Sequence, residues 1–196
     1  MSGEGKGLLL VLVDPAPNLE EELNDWYDTE HLPERAALPG FETALRFTSV
    51  GDGPRYAAVY DLSRLDVLDS KAYLAVSGDN FSPWTRRIIS RSRPLRITAR
   101  QVSPGEGVTG RCARLLILRF REVGELSAIA DGLEKAFGKA AGFLQWRLFA
   151  CVEPDAASAI ALVEFAAHGV PSYDADVFGS AGRHIDLSAT YRPYRA

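Results

Sequence analysis

Cysteine, methionine and histidine are scarce in this 196-residue chain, with two, one and three copies respectively. Two cysteines in a chain of this length make no disulfide framework. Cys112 and Cys151 lie in apolar stretches of the second half, without a His or Lys close in sequence to favour a thiolate. Both are expected as buried free thiols. Long hydrophobic runs are missing too. The apolar run at residues 8–13 is cut off by Asp14-Pro15, too short for a membrane helix and without a cleavage pattern. The expected setting is therefore the cytoplasm, with no membrane partner. A basic excess is also lacking: 22 Lys and Arg stand against 26 Asp and Glu, for a net charge of −4. That balance, with no Lys/Arg-Gly-Phe-x-Phe pattern on any strand, speaks against a nucleic-acid partner. No Gly-rich phosphate loop is present either, because Gly51-x-Gly53 falls in a turn between strands. There is no Gly-x-Ser-x-Gly elbow.

What remains is an ordinary globular composition, 46% hydrophobic and 24% charged. Residues 8–13 read as a strand buried on both faces. A helix is expected to start at Asn18, with Glu21 completing a capping box, and Pro33 is expected to end or kink it. Strands follow at 41–50 and 55–62, then a mostly helical stretch at 66–90 broken near Gly78 and Pro83, then a strand at 94–102. In the strand at 41–50, Phe41, Thr43, Leu45 and Phe47 point one way and Glu42, Ala44, Arg46 and Thr48 the other. After the linker-like run Ser103-Pro104-Gly105-Glu106-Gly107 the order restarts. The second round has strands at 114–120, 143–152, 158–167 and 186–194, a helix at 125–140, and a less regular segment at 171–183.

An internal repeat supports this division. Gly40-Phe41, Phe47 and Val50 recur at a constant interval as Gly142-Phe143, Phe149 and Val152, and Asp61-Leu62 matches Glu164-Phe165. The expected fold class is α+β, with two tandem ferredoxin-like βαββαβ repeats at 1–103 and 112–196 joined by a linker at 104–111. A lone ferredoxin-like sheet leaves one face bare. Two repeats covering each other face to face give an intrachain pseudo-dimeric α+β barrel, with room for a further homodimer.

The segment Trp26-Tyr27-Asp28-Thr29-Glu30-His31-Leu32-Pro33-Glu34-Arg35 holds the densest chemistry. Tyr27 and His31 stand one helical turn apart. His31 can move a proton near neutral pH, and Tyr27 can hydrogen-bond to it or to a substrate oxygen, so these two are the catalytic candidates. Trp26, Glu30, Arg46 and Tyr60 are the substrate-binding candidates, with Arg46 suited to an enolate or carboxylate. Arg46 can equally pair with Glu42 or Glu30, and Trp26 and Tyr27 can be core residues with a satisfied polar tip. The second-repeat helix, Ala130-Asp131-Gly132-Leu133-Glu134-Lys135-Ala136-Phe137, has no such aromatics, which points to one site per chain. Glu30, His31 and Glu34 form no open triad on one face, and His168 and His184 are distant, so no metal site is expected. The arginines between Arg86 and Arg100 read as a solvated helix end and strand, against the alternative of an anion site.

The run from Trp26 to Phe47, WYDTEHLPERAALPGFETALRF, resembles the dimeric α+β barrel superfamily, especially its EthD-like and antibiotic-biosynthesis-monooxygenase-like members. There a helix bearing W-Y-x-x-E-H precedes a Pro-Gly-Phe entry to the next strand. Members include cofactor-free monooxygenases, cyclases, isomerases, decarboxylases and dehydratases, and a His is often their acid or base. The resemblance implies a cofactor-independent enzyme acting on a small apolar or aromatic carbonyl compound, with His31 as acid or base. The alternative is a non-catalytic small-molecule binder or stress-related protein of the same fold.

Overall fold

The computed structural model describes residues 5–104 and 107–195. Met1–Glu4 and the linker residues Gly105 and Glu106 lie outside them. Strand β1 (Gly7–Val13) is apolar along its whole length because both of its faces are covered. Leu8, Leu10 and Leu12 point into one hydrophobic cluster, while Leu9 and Val13 point into another beneath the helices. Strand β5 (Arg114–Phe120) repeats the arrangement, with Leu115 and Ile117 inward and Leu116, Leu118 and Phe120 outward.

The first repeat continues with α1 (Glu20–Trp26), α2 (Leu32–Ala36), β2 (Leu45–Ser49), β3 (Tyr56–Leu62), α3 (Lys71–Leu74), α4 (Pro83–Ser92) and β4 (Leu95–Ser103). The second has α5 (Leu126–Phe137), β6 (Phe143–Glu153), β7 (Ala159–Phe165), two 3-10 turns within Ala175–His184 separated by a kink at Gly179, and β8 (Ile185–Pro193). The strands close into one antiparallel barrel in the order β1-β3-β2-β8-β5-β7-β6-β4. Each half therefore carries the same internal order, 4-1-3-2, which is the ferredoxin-like arrangement duplicated. The halves meet at two seams. One joins β4 to β6 from Thr98–Glu153 to Ser103–Leu148 across two irregularities. The other joins β2 to β8 over three pairs, from Phe47–Pro193 to Ser49–Tyr191.

The glycines at the matching repeat positions share a conformation. Gly40 and Gly142 have φ of 88° and 76°. A Cβ there would also collide with Val67 or Ala167, at 2.5 and 2.6 Å. Only glycine fits such a left-handed turn so close to a neighbour. The following Phe41 and Phe143 both pack on the helix side of their sheets.

Two sequence expectations are corrected. Asn18 caps nothing: it lies inside a 3-10 turn, Pro17–Leu19, and the helix starts at Glu20 with no side-chain cap. The strand expected at 41–50 is hydrogen-bonded as a strand only over Leu45–Ser49, and Phe41 makes one isolated bridge to Leu62. The two-residue alternation therefore breaks before Leu45, so Phe41 joins the helix-side cluster while Leu45 and Phe47 face the barrel interior. Pro33, expected to end or kink the helix, interrupts its regular path without ending it, in a way that bears directly on the candidate site.

Candidate functional site

The helical path runs from Glu20 through Ala36 because α1 and α2 are joined by a π-turn at Tyr27–His31. In an α-helix the Pro33 ring would press on the carbonyl four residues back, and its nitrogen could not donate. Widening the turn accommodates the ring. The Leu32 N–H donates to the Tyr27 carbonyl, five residues back. The Thr29 hydroxyl donates to the Asp25 carbonyl at 2.6 Å.

The π-turn determines which side chains meet. Residues five apart in an α-helix lie about 140° apart around the axis. Here Trp26 and His31, five apart, stack with ring centroids at 4.2 Å and planes at 24°. Tyr27 meets His31 edge-on at 5.5 Å, and Tyr60 of β3 does so at 6.5 Å. One turn on, Arg35 lies 2% exposed beneath the same face. Its guanidinium stands over the Tyr73 ring at 5.1 Å, and Nη2 donates to the Val76 carbonyl at 2.7 Å.

Trp26, Tyr27, His31, Arg35, Tyr60 and Tyr73 line one cavity of about 90 Å³ between helix and sheet. Leu9, Val11, Leu23 and Ile88 make its walls apolar, and Phe81, Pro94 and Arg96 stand at its exposed side. Three polar atoms of the lining residues are buried without a hydrogen-bond partner: His31 Nδ1, the Tyr60 hydroxyl and Arg35 Nη1. Buried polar groups are nearly always satisfied, so a cluster of orphans marks a place prepared for a ligand or ordered water. Burial holds His31 down to about pH 3, with the Arg35 and Arg46 cations adding to the effect. The imidazole is therefore neutral at physiological pH. Burial pushes the Tyr27 phenol up to about 12 and the Tyr60 phenol well above its ordinary value, so both stay protonated.

The remaining candidates are engaged elsewhere. Arg46 pairs with neither Glu42 nor Glu30. Its guanidinium lies between the rings of Tyr27 and Tyr194, at 4.1 and 4.0 Å. It donates to Asn24 Oδ1 at 2.8 Å and reaches Asp28 at 3.4 Å. Glu30 accepts from the Ser82 and Thr85 hydroxyls at 2.5 and 3.0 Å, and Thr85 in turn accepts from the Trp26 indole at 3.0 Å. Glu30 thus ties the π-turn to the first turn of α4. Trp26, Tyr27, His31 and Tyr60 are brought together at the cavity, whereas Arg46 sits behind Tyr27. Arg35 has no role in the sequence reading, because Pro33 is expected to end or kink the helix before it. Its spacing of four from His31 was the available signal.

Elsewhere, Arg87 and Arg91 bind Glu22, and Arg96 bridges to Glu153 at 3.0 Å. Cys112 and Cys151 are buried free thiols, both pushed up to about 12 by burial. Among the described residues, no three or more His, Cys, Asp and Glu side chains group to hold a metal ion, and no helix is long and apolar enough to cross a membrane.

No family model and no curated protein matches the chain. Solved structures do. An anthrone oxidase-like protein superimposes with a TM-score of 0.64 at 10% identity, over 98% of this chain and 92% of the other. A mutant chlorite dismutase from Candidatus Nitrospira defluvii, in complex with cyanide, gives 0.59 at 8% identity over 98% and 92%. A candidate monooxygenase from Lactobacillus acidophilus NCFM gives 0.53 at 9% identity over 97% and 93%. At such identities the likeness is one of fold. The closed eight-strand barrel, the duplicated 4-1-3-2 order and these whole-length matches together give the chain the fold of a dimeric α+β barrel, with both halves in a single polypeptide.

Proposed function

We propose that this protein is a cofactor-independent enzyme acting on a small apolar or aromatic carbonyl compound, with His31 as its acid and base. The observation that carries this reading is the convergence of His31 Nδ1, the Tyr60 hydroxyl and Arg35 Nη1, all unpartnered, on one apolar cavity. A neutral imidazole accepts a proton from the carbon beside the carbonyl, and the electron pair of that C–H bond becomes an enolate. The enolate oxygen is held by Arg35 and Tyr60, donors that are already in place. Trp26 walls the site and Tyr27 orients the imidazole. Return of the proton to another atom completes an isomerisation, loss of a leaving group completes a lyase step, and ring closure or capture of dioxygen are the other outcomes of the same enolate.

His31 is a weak base because burial disfavours its charged form, and the Arg35 and Arg46 cations add to the effect. Proton transfer becomes favourable as the enolate forms and offsets those cations. The cavity of about 90 Å³ falls well below the usual ligand pocket of roughly 300–1,000 Å³. It takes only the reacting end of a substrate, or a compound of a few heavy atoms, entering past Phe81, Pro94 and Arg96. The names of the anthrone oxidase-like and monooxygenase neighbours agree with this class of chemistry.

The test is turnover of a panel of small enolisable ketones and phenols by the wild-type protein and by His31→Ala. The variant is expected to lose roughly 10²–10⁴-fold in kcat with its circular dichroism unchanged. Full activity in His31→Ala removes His31 from the mechanism. Saturable binding without turnover by the wild type moves the protein to the binding class.

A further inference from the structure

The seam between β2 and β8 is short, and a groove runs beside it. Upstream of the three paired residues, the stretch 42–46 faces residues 109–112 across a groove of about 930 Å³. That volume lies at the upper end of small-molecule sites. Its apolar surface is deep: Leu45, Phe47 and Cys112 belong to the cluster that fills the barrel interior. Leu32 and Tyr194 add to the walls.

The charges around the groove do not cancel. Arg46 and Arg195 share Asp28, at 3.4 and 2.9 Å. Glu42 is bridged by Lys6 at 2.5 Å. Arg111 is exposed on the rim and has no ion-pair or hydrogen-bond partner among the described residues. The polar groups at the inner end are already satisfied. The Thr43 hydroxyl and the Thr109 N–H donate to Asp61 Oδ2 at 2.6 and 2.7 Å, and the Gly110 N–H donates to Glu164 at 3.0 Å. The interior of the groove therefore favours apolar matter and its rim favours negative charge.

We propose that this groove binds an amphipathic carboxylate, a long-chain or fused-ring organic acid. Its apolar body lies against Leu45, Phe47 and Tyr194, and its carboxylate is met by the fork of Arg111. The site is separate from the His31 cavity. Asp28 and Leu32 face the groove, while Tyr27, His31 and Arg35 face the cavity from another side of the same helical path.

The test is calorimetric titration of the full chain with decanoate, and with decanol as the uncharged match. Wild-type protein is expected to bind decanoate saturably at one site per chain. Arg111→Glu, a change at an exposed side chain, is expected to weaken decanoate at least tenfold and to leave decanol unchanged. Hydrogen exchange in the decanoate complex is expected to show protection at residues 43–47 and 109–112. Absence of saturable decanoate binding, equal affinity in Arg111→Glu, or protection confined to residues 26–35 would each overturn the proposal.

Discussion

His31 owes its neutrality to its surroundings, and this makes it a pH sensor of stability. Its folded-state value of about 3 lies below the ordinary 6.5. Between those values the unfolded chain binds a proton that the folded chain does not. Stability attributable to this residue is complete above about pH 6.5 and is lost as pH falls toward 3, with a slope of at most about 1.4 kcal/mol per pH unit. His31→Phe keeps an aromatic ring over Trp26 and removes the titration. Urea midpoints at pH 7 and pH 4.5 should show wild type losing about 1–2 kcal/mol more than the variant, after allowance for the partial exposure of His31. Parallel losses in both proteins would mean that His31 is not held neutral. In the proposed mechanism the same residue carries the proton. If it is the base, kcat/KM should show no acidic limb near pH 6.5, because the free enzyme already holds it deprotonated there.

At the scale of elements, the π-turn and the start of α4 form one unit. Ser82 accepts from the Thr85 N–H at 3.0 Å while donating to Glu30, so the N-cap of α4 is also an anchor for the turn that carries His31. Thr85 is 2% exposed and bonds both Glu30 and the Trp26 indole. Thr85→Val preserves shape and removes both bonds, leaving the indole N–H without an acceptor. The expected cost is about 1–3 kcal/mol in thermal or urea unfolding. The Trp26–His31 stack should loosen with it, seen as a change in tryptophan emission. An unchanged midpoint would show that Glu30 and Trp26 find other partners, and that the clasp does not hold the turn.

At the scale of the whole molecule, one buried ion cluster joins the two repeats at the end of the barrel. Arg147 of β6, 1% exposed, donates to Asp61 of β3 at 2.6 Å and to the Thr109 hydroxyl at 2.6 Å, and lies 3.5 Å from Glu164 of β7. Asp61 and Glu164 are the matching positions of the internal repeat, so one arginine bridges a pseudo-symmetric pair of carboxylates. Burial raises the Glu164 carboxyl above its ordinary value. Arg147→Met leaves two uncompensated carboxylates and should cost about 3–5 kcal/mol at pH 7. A carboxyl with a raised folded-state pKa contributes stability at low pH and loses it as pH rises. The variant should therefore regain stability between pH 7 and pH 5, opposite in direction to the His31 effect. A pH-independent deficit would show that the loss comes from packing rather than charge.

The parts of this protein that depend on near neighbours in sequence were legible without coordinates. Two-faced burial of residues 8–13, the glycine-phenylalanine entries at Gly40 and Gly142, and the duplicated order of elements all follow from local patterns. So did the gathering of Trp26, Tyr27 and His31 on one segment. Tertiary structure decided the rest, because it depends on groups far apart in the chain. Pro33 reads locally as an end or a kink of the helix, and tertiary structure decides for a π-turn that carries the helix on, so that Arg35 reaches the cavity beside His31. Arg46 carries a free cation in the sequence, but Tyr194, nearly 150 residues later, closes over it. The groove at the β2–β8 seam exists only because the two repeats meet there over three residue pairs. Burial, and with it the neutral state of His31 and the pairing of Asp61, Arg147 and Glu164, is set by the closed barrel, since desolvation arises only once the whole chain surrounds a group.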